Sequence, residues 1–230
     1  MQALKFSPLL NNLGAGQDLS FCQSPALQHQ KQIAMTSYQT EQLLHNLQQQ
    51  TEAFINEAVT NWQMVPHKQF AYKVAVEKWS ANQCLQHLNS YGLYYLPAIE
   101  KSILAAVTKK DIPQAMFKPG WLGNYFTSLM QPKEDGSLSR RMKSPQKHQP
   151  QNNADSHLVI AEFIEQQERL LILLEEAKQL DLNSIKVPIS ISPFIKLKLG
   201  DVFMFLAAHN QRHILQARKA LTVNLQQAIR

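Results

Sequence analysis

The chain is poor in cysteine: 230 residues hold two, Cys22 and Cys84, too few for a disulfide scaffold, so the cytoplasm is the default compartment. It also lacks a long hydrophobic run. A membrane-spanning helix needs about 18 or more apolar residues in succession. The longest candidate, around Leu170 to Leu174, is closed off by Glu175 and Glu176. No continuous apolar stretch of the secretory type opens the sequence, because Pro8, Asn11, Asn12 and Gly14 interrupt it. Charge is scarce at 17%, and Gln and Asn supply much of the missing polarity. Strand signals are nearly absent, which disfavours sheet architectures. The apolar content, 44%, is that of an ordinary globular protein, and the length allows one sizeable core.

The formal net charge is +6. Between Lys133 and Lys147 stand five cations (Lys133, Arg140, Arg141, Lys143, Lys147) and two anions (Glu134, Asp135), which is +3, half the total in one loop. A charge gathered in this way reads first as a solvated loop. The rival reading is a non-catalytic helical binding module whose 133–147 loop contacts nucleic acid or an acidic partner. A basic face extending over the protein is not indicated, so nucleic acid is the disfavoured partner.

Residues 1–35 are rich in Gln, Asn, Ser, Gly and Pro and show no period, the pattern of a flexible arm. Met35 opens "MTSYQTEQLL" and is a second candidate start for translation. A first helix is expected from about Thr36, with a Thr36/Gln39 capping box, to Trp62, on the stripe Leu44, Leu47, Phe54, Ile55, Ala58 and Trp62. A connector with Pro66 follows. The second helix starts at "KWSANQCLQHL", where Ser80 and Gln83 form a capping box and Trp79 and Cys84 hold the hydrophobic-staple positions. Its stripe continues through Leu88, Tyr91, Tyr95, Ala98 and Ile103, with a kink expected at Pro97. Residues 109–154 form a long crossover with a short helical piece from Trp121 to Met130. A third helix is expected over Ser156 to Leu180, capped by Asp155. "KVPISISPF" (186–194) is too short and Pro-broken for a sheet and reads as an extended link. A fourth helix covers Leu199 to Ala220, with Asp201 in its first turn favourable to the helix dipole. The expected fold is all-α: a four-helix bundle with one long crossover loop, over residues 36–222, followed by a 223–230 tail.

The fourth helix carries a seam: Leu199, Val202, Leu206, His209, His213, Ala217, Ala220. Steps of three and four mark positions that face a bundle core, so both histidines stand where leucine ordinarily would. Four residues turn a helix by about 400°, which sets the two rings some 40° apart and about 6 Å along the axis. His87 repeats the oddity on the stripe Cys84, His87, Leu88, Tyr91 of the second helix. A single inward histidine is ordinarily a core residue bonded to a neighbour. Three on the inner seams of two helices leave several buried nitrogens in need of partners, and an unsatisfied one costs about 1–3 kcal/mol. One metal ion would serve all three rings; separate core partners remain the other reading. A zinc-protease helix would place Glu directly after the first histidine, where Asn210 stands, which disfavours that chemistry.

Three segments, "KWSANQCLQHL", "RRMKSPQKHQP" and "LGDVFMFLAAHNQRHILQARK", together resemble the DinB-like superfamily, bacterial four-helix-bundle proteins of the DNA-damage-inducible type. The resemblance spans about residues 36–222. Its most specific pieces are the Trp79–Ser80 opening of a histidine-bearing helix and the HxxRHxxQ of 209–216. It implies a divalent metal ion, nickel or zinc, held by His87, His209 and His213. Characterised relatives include transferases and isomerases that use low-molecular-weight thiols, and others carry only a metal-dependent hydrolase label. The resemblance therefore implies a small-molecule thiol S-transferase or a hydrolase acting on a small electrophile, in a family whose members often pair as homodimers. It assigns no catalytic side chain beyond the ligands. A related branch that makes carbon–sulfur bonds with iron has glutamate where this chain has Leu215, which disfavours oxidative iron chemistry. Many relatives place an aromatic where His148 stands.

Around such a site, Glu162 and Gln216 are candidates to orient the ligating rings. Cys84 reads as an inert core thiol. Tyr91, Tyr95 and Trp121 are expected to line or cover the cavity. Arg212 meets either an anionic group or the bundle surface. His29, His45, His67 and His157 read as bystanders.

Overall fold

Ser80 begins its helix as the sequence indicates: its hydroxyl accepts from the Gln83 N–H, and the Gln83 side chain accepts from the Ser80 N–H, each at 3.2 Å. The computed structural model in which this is seen describes residues 37–110, 112–133, 136–137 and 143–228, the last five by backbone alone. The arm expected over 1–35, Thr36, and Glu134, Asp135, Arg140 and Arg141 of the basic loop lie outside the described residues.

In chain order the elements are β1 (Tyr38–Gln39), α1 (Thr40–Glu57) continuing into a π-helical turn (Ala58–Trp62), the short α2 (His67–Phe70), and α3 (Ala81–Thr108). These are followed by β2 (Met116–Phe117), α4 (Trp121–Met130) and a 3-10 turn (Gln146–His148). Then come α5 (Ser156–Glu176) with a terminal 3-10 turn (Ala177–Gln179), β3 (Lys186–Ile189), β4 (Ser192–Lys198) and α6 (Leu199–Ala228). Helices α1, α3, α5 and α6 form the bundle: α1 and α3 each pack against both α5 and α6, and α4 lies along α6. The fold is all-α with one long crossover, between α3 and α5.

Several boundaries differ from the sequence pattern. The first helix begins at Thr40, because Tyr38 and Gln39 are drawn into an antiparallel pair with Phe117 and Met116, and Gln39 becomes the residue before the helix. Helix α3 runs unbroken through Pro97, which sits on the exposed face where its lost backbone bond is readily hydrated. Helix α6 continues to Ala228, beyond Ala220.

The extended link is corrected to a hairpin. Strands β3 and β4 pair antiparallel, Lys186 with Lys198 and Val187 with Leu197, and the register shifts after Pro188, where a missing N–H is tolerated. Val187, Ile189 and Leu197 are buried. The Tyr94 hydroxyl donates to the Ile189 carbonyl at 3.0 Å, and the Tyr95 hydroxyl accepts from the Ser190 N–H at 3.2 Å. The hairpin is thus anchored to α3.

Two apolar clusters make the core. One gathers Leu199 to Ala207 of α6 with Tyr91 to Ala106 of α3, among others; the second holds Cys84, Leu85 and Leu88 of α3 with Ile214 and Ala217 of α6. The two helices therefore run antiparallel, and His87, His209 and His213 fall where the clusters meet. Across the bundle, Arg218 of α6 grips Glu57 of α1 with two hydrogen bonds of 2.8 and 2.9 Å. Among the described residues no helix is long and apolar enough to cross a membrane.

Candidate metal centre

On α3 the capping box fixes where the helix starts, and with it which side chains face α6. His87, one turn after Cys84, points to the seam. On α6, His209 and His213 face it from one turn to the next. All three are buried, at 3, 2 and 7% exposure. The ring centroids are 4.6 Å apart for His87–His213, 4.7 Å for His209–His213 and 5.1 Å for His87–His209. One nitrogen from each lies within 4.8 Å of the others, so the sequence-derived triad is brought together and could hold a metal ion.

The tautomer of His87 follows from its neighbours. Its Nδ1 is 2.8 Å from the main-chain carbonyl of His148, which can only accept, so the proton is on Nδ1 and the Nε2 lone pair faces inward. There it meets His209 Nε2 at 3.2 Å. Two nitrogens bound about 2.0–2.1 Å from one tetrahedral zinc stand about 3.3–3.4 Å apart, so this pair already has a ligand-like separation. The third nitrogen lies within 4.8 Å of both. The Nδ1 atoms of His209 and His213 are buried with no hydrogen-bond partner among the described residues. A borderline divalent cation suits three such neutral donors.

Electrostatics keeps the rings neutral. Burial holds His87 below the usual histidine range, and burial reinforced by neighbouring positive charge holds His209 and His213 well below it. Neutral imidazole is the ligating form. Gln216, one turn after His213, lies close enough to favour its charged form, but no well-formed hydrogen bond joins them, and Gln216 Oε1 has no partner among the described residues.

The group that orients His87 belongs to the loop. Pro145 starts the 3-10 turn, closed by the His148 N–H on the Pro145 carbonyl at 2.9 Å. Amide side chains of α3 fasten the following stretch. Gln86 bonds both the N–H and the carbonyl of Gln151 (3.0 and 3.2 Å), Gln83 reaches Asn152 at 3.0 Å, and Asn82 reaches the Ala154 carbonyl at 2.7 Å. The end of the crossover, after the 133–147 loop, is thus bound to α3 beside the triad. His148 itself is buried. Its ring lies 4.0 Å from that of Tyr91, and its Nδ1 is 3.0 Å from Ser90 Oγ, whose own proton goes to the His87 carbonyl. Burial, with Lys147 and His87 adding to it, lowers the His148 pKa to about 4.

A cavity of about 660 Å³ opens in front of the triad, with Tyr91, Gln216 and Arg212 in its lining. Trp79 walls it, its ring 4.9 Å from His87 and 5.7 Å from His213. The sequence pattern gives that place to Trp121, which instead opens α4, whose buried residues are Gly123 and Thr127, and is 82% exposed. Tyr95 belongs to the apolar core and the hairpin contact. Glu162 does not orient the ligands either; it accepts from Asn89 and Gln166 between α3 and α5. Asn210 turns to Gln167 on α5 at 2.8 Å. Cys84 touches the cavity but is fully buried, and burial pushes its thiol up to about 12, which leaves it inert at neutral pH. His67 plays a structural part, since its Nδ1 accepts from the Ser156 N–H at 3.2 Å, at the first turn of α5.

A family model described as the DinB superfamily matches residues 32–217, which takes in the bundle except for the last turns of α6, and all three histidines. The chain belongs to the DinB superfamily. Comparison with curated proteins and with solved structures finds no match. As a DinB-superfamily protein it carries a buried three-histidine group able to hold a metal ion, facing a cavity of small-molecule size.

Proposed function

We propose that this protein is a metal-dependent enzyme in which His87, His209 and His213 hold a divalent ion, nickel or zinc. In this reading it promotes attack by a small-molecule thiol, or secondarily by water, on a small electrophile. The observation that carries the reading is the convergence of three buried, neutral imidazoles within 4.8 Å at the head of a cavity. Bound there, the cation supplies Lewis acidity, lowering the pKa of a thiol or water at a position the three ligands leave free.

The chain's own residues set the conditions for that chemistry. The His148 carbonyl fixes the tautomer and the aim of His87. Trp79 and Tyr91 flank the rings with apolar surface and exclude water from one side. The described residues supply no carboxylate to the triad, so the thiol-transfer and hydrolase readings both rest on the ion and the incoming nucleophile. Cys84, held as a thiol, is not that nucleophile.

The experiment is elemental analysis of purified protein and of His209→Ala, followed by turnover assays with low-molecular-weight thiols and model electrophiles or esters. About one nickel or zinc per chain in the wild type and a negligible content in the variant is the expected result. Negligible metal in both overturns the reading. Metal without any turnover reduces it to a metal-stabilised bundle.

A further inference from the structure

Among the described residues, the charge that lines the cavity is mostly of one sign. Of the described residues lining it, Lys78, Lys143, Arg212 and Lys219 are cationic and Glu77 alone is anionic. The imidazoles are neutral, so a divalent ion bound by them would keep its full charge and add to the same sign. Arg212 is the most deeply placed of the four, 4% exposed on α6 between His209 and His213, and one of its terminal nitrogens donates to the Leu129 carbonyl of α4 at 3.4 Å. Lys143 and Lys219 are exposed, and Lys219 Nζ donates to the Gly136 carbonyl at 3.0 Å. A guanidinium offers a planar fork of donors matched to carboxylate, sulfonate and phosphate oxygens, and low dielectric strengthens that contact. The volume, about 660 Å³, suits a small molecule and not a polymer.

We propose that the cavity is selective for small molecules bearing an anionic group, a carboxylate, sulfonate or phosphate, received by Arg212 with Lys143 at the mouth while the reacting end of the molecule lies at the histidine triad. The inference rests on the functional reading above and names its substrate class. Arg212 is a specificity-determining residue in it, with no part in metal binding.

The test uses the full chain loaded with nickel, its content checked by elemental analysis. Two thiols of similar size are titrated, anionic 3-mercaptopropionate and neutral 2-mercaptoethanol, and read by the thiolate-to-nickel absorption. Inorganic phosphate is titrated by calorimetry into the loaded and the metal-free protein. The expected result is at least tenfold tighter binding of the anionic thiol, together with measurable phosphate binding. Arg212→Gln should abolish both while nickel content and the 2-mercaptoethanol titration stay unchanged, which also separates Arg212 from simple chelation of nickel by the thiol's own carboxylate. Should that variant fail to fold, Lys143→Gln at the exposed mouth is expected to lower the preference two- to threefold. Equal affinity for the two thiols without phosphate binding overturns the proposal. So does a preference that Arg212→Gln and Lys143→Gln both leave intact. If nickel is not retained, or neither thiol absorbs, the functional reading fails instead. Phosphate binding to the metal-free protein, lost in Arg212→Gln, then still supports the anion site, and its absence overturns it.

Discussion

His87 donates its Nδ1 proton to the main-chain carbonyl of His148 across 2.8 Å, so the aim of a buried α3 imidazole depends on a loop that approaches from sixty-one residues away. The loop in turn is held by side-chain amides of the helix it serves, Gln86 above all.

Gln86→Ala removes both bonds to the Gln151 backbone. It should weaken metal binding up to about tenfold, the lower end of what losing outer support costs a metal site. Stability should fall by only about 1 kcal/mol, the net worth of exposed hydrogen bonds. Competition against a chromophoric chelator measures the first and urea melts the second. Unchanged affinity would show that the loop keeps its place without Gln86.

His209 stands at a seam position suited to leucine, with its Nδ1 buried and without a partner among the described residues. His209→Leu should therefore abolish metal binding and raise the stability of the metal-free protein by up to about 1 kcal/mol, the gain from removing a buried unsatisfied atom being offset in part by the loss of the 3.2 Å contact to His87 Nε2. Thermal melts in chelator give the comparison. The wild type should overtake the variant on adding metal, since a ligand at a thousandfold its Kd adds about 4 kcal/mol. A variant that melts lower in chelator would mean the ring is already satisfied within the protein.

Acid should destabilise the metal-free protein. His87, His148, His209 and His213 are all held below their ordinary value of 6.5, first of all by burial. As pH falls through 6.5 the unfolded chain takes up protons that the folded one does not, and each group then contributes up to about 1.4 kcal/mol of lost stability per pH unit. Stability is full above about pH 7; the His148 share of the loss ends below about 4. Urea melts in chelator at pH 7.5, 6 and 5 follow the slope, which should be shallower in His209→Leu. A flat profile would show that these rings are protonated in the folded state as readily as in the unfolded one.

The helices were legible because their signals are local. Ser80 and Asp155 cap α3 and α5 as their neighbours in sequence indicate, Asp155 accepting from His157 and Leu158 N–H groups. The triad was legible because polar rings at leucine positions stand out against a regular period. Other parts were hidden for physical reasons. The group that orients His87 is a backbone carbonyl, which has no letter in a sequence. Trp79 reads as a staple residue and Trp121 as a cover for the cavity, and only tertiary placement shows that Trp79 walls it while Trp121 is exposed. Pro188 argues against a strand when read locally, yet a register shift in a two-stranded hairpin accommodates it. The hold of Gln83 and Gln86 on residues 151–152 was hidden because a side-chain amide bonds water as readily as it bonds another part of the chain.

Asp201 suits the dipole of its own helix, but its carboxylate does more at a second one. Both its oxygens accept from the Gly120 N–H, at 3.0 and 3.1 Å, immediately before α4. The contact is close: a Cβ at Gly123 would stand 2.2 Å from Asp201 Cγ. The carboxyl is buried, and burial raises its pKa, which the Gly120 bonds and nearby lysines oppose. Two substitutions therefore test one joint from opposite sides. Asp201→Ala strands the Gly120 N–H and should cost about 1–3 kcal/mol. Gly123→Ala leaves every hydrogen-bonding group in place but forces α4 away from α6, with a comparable cost from overpacking. Because both release the same contact, the double variant should lose less than the sum of the singles. Additive losses in urea melts would mean that Gly123 and Asp201 do not share a joint, and that α4 is held on α6 by other contacts.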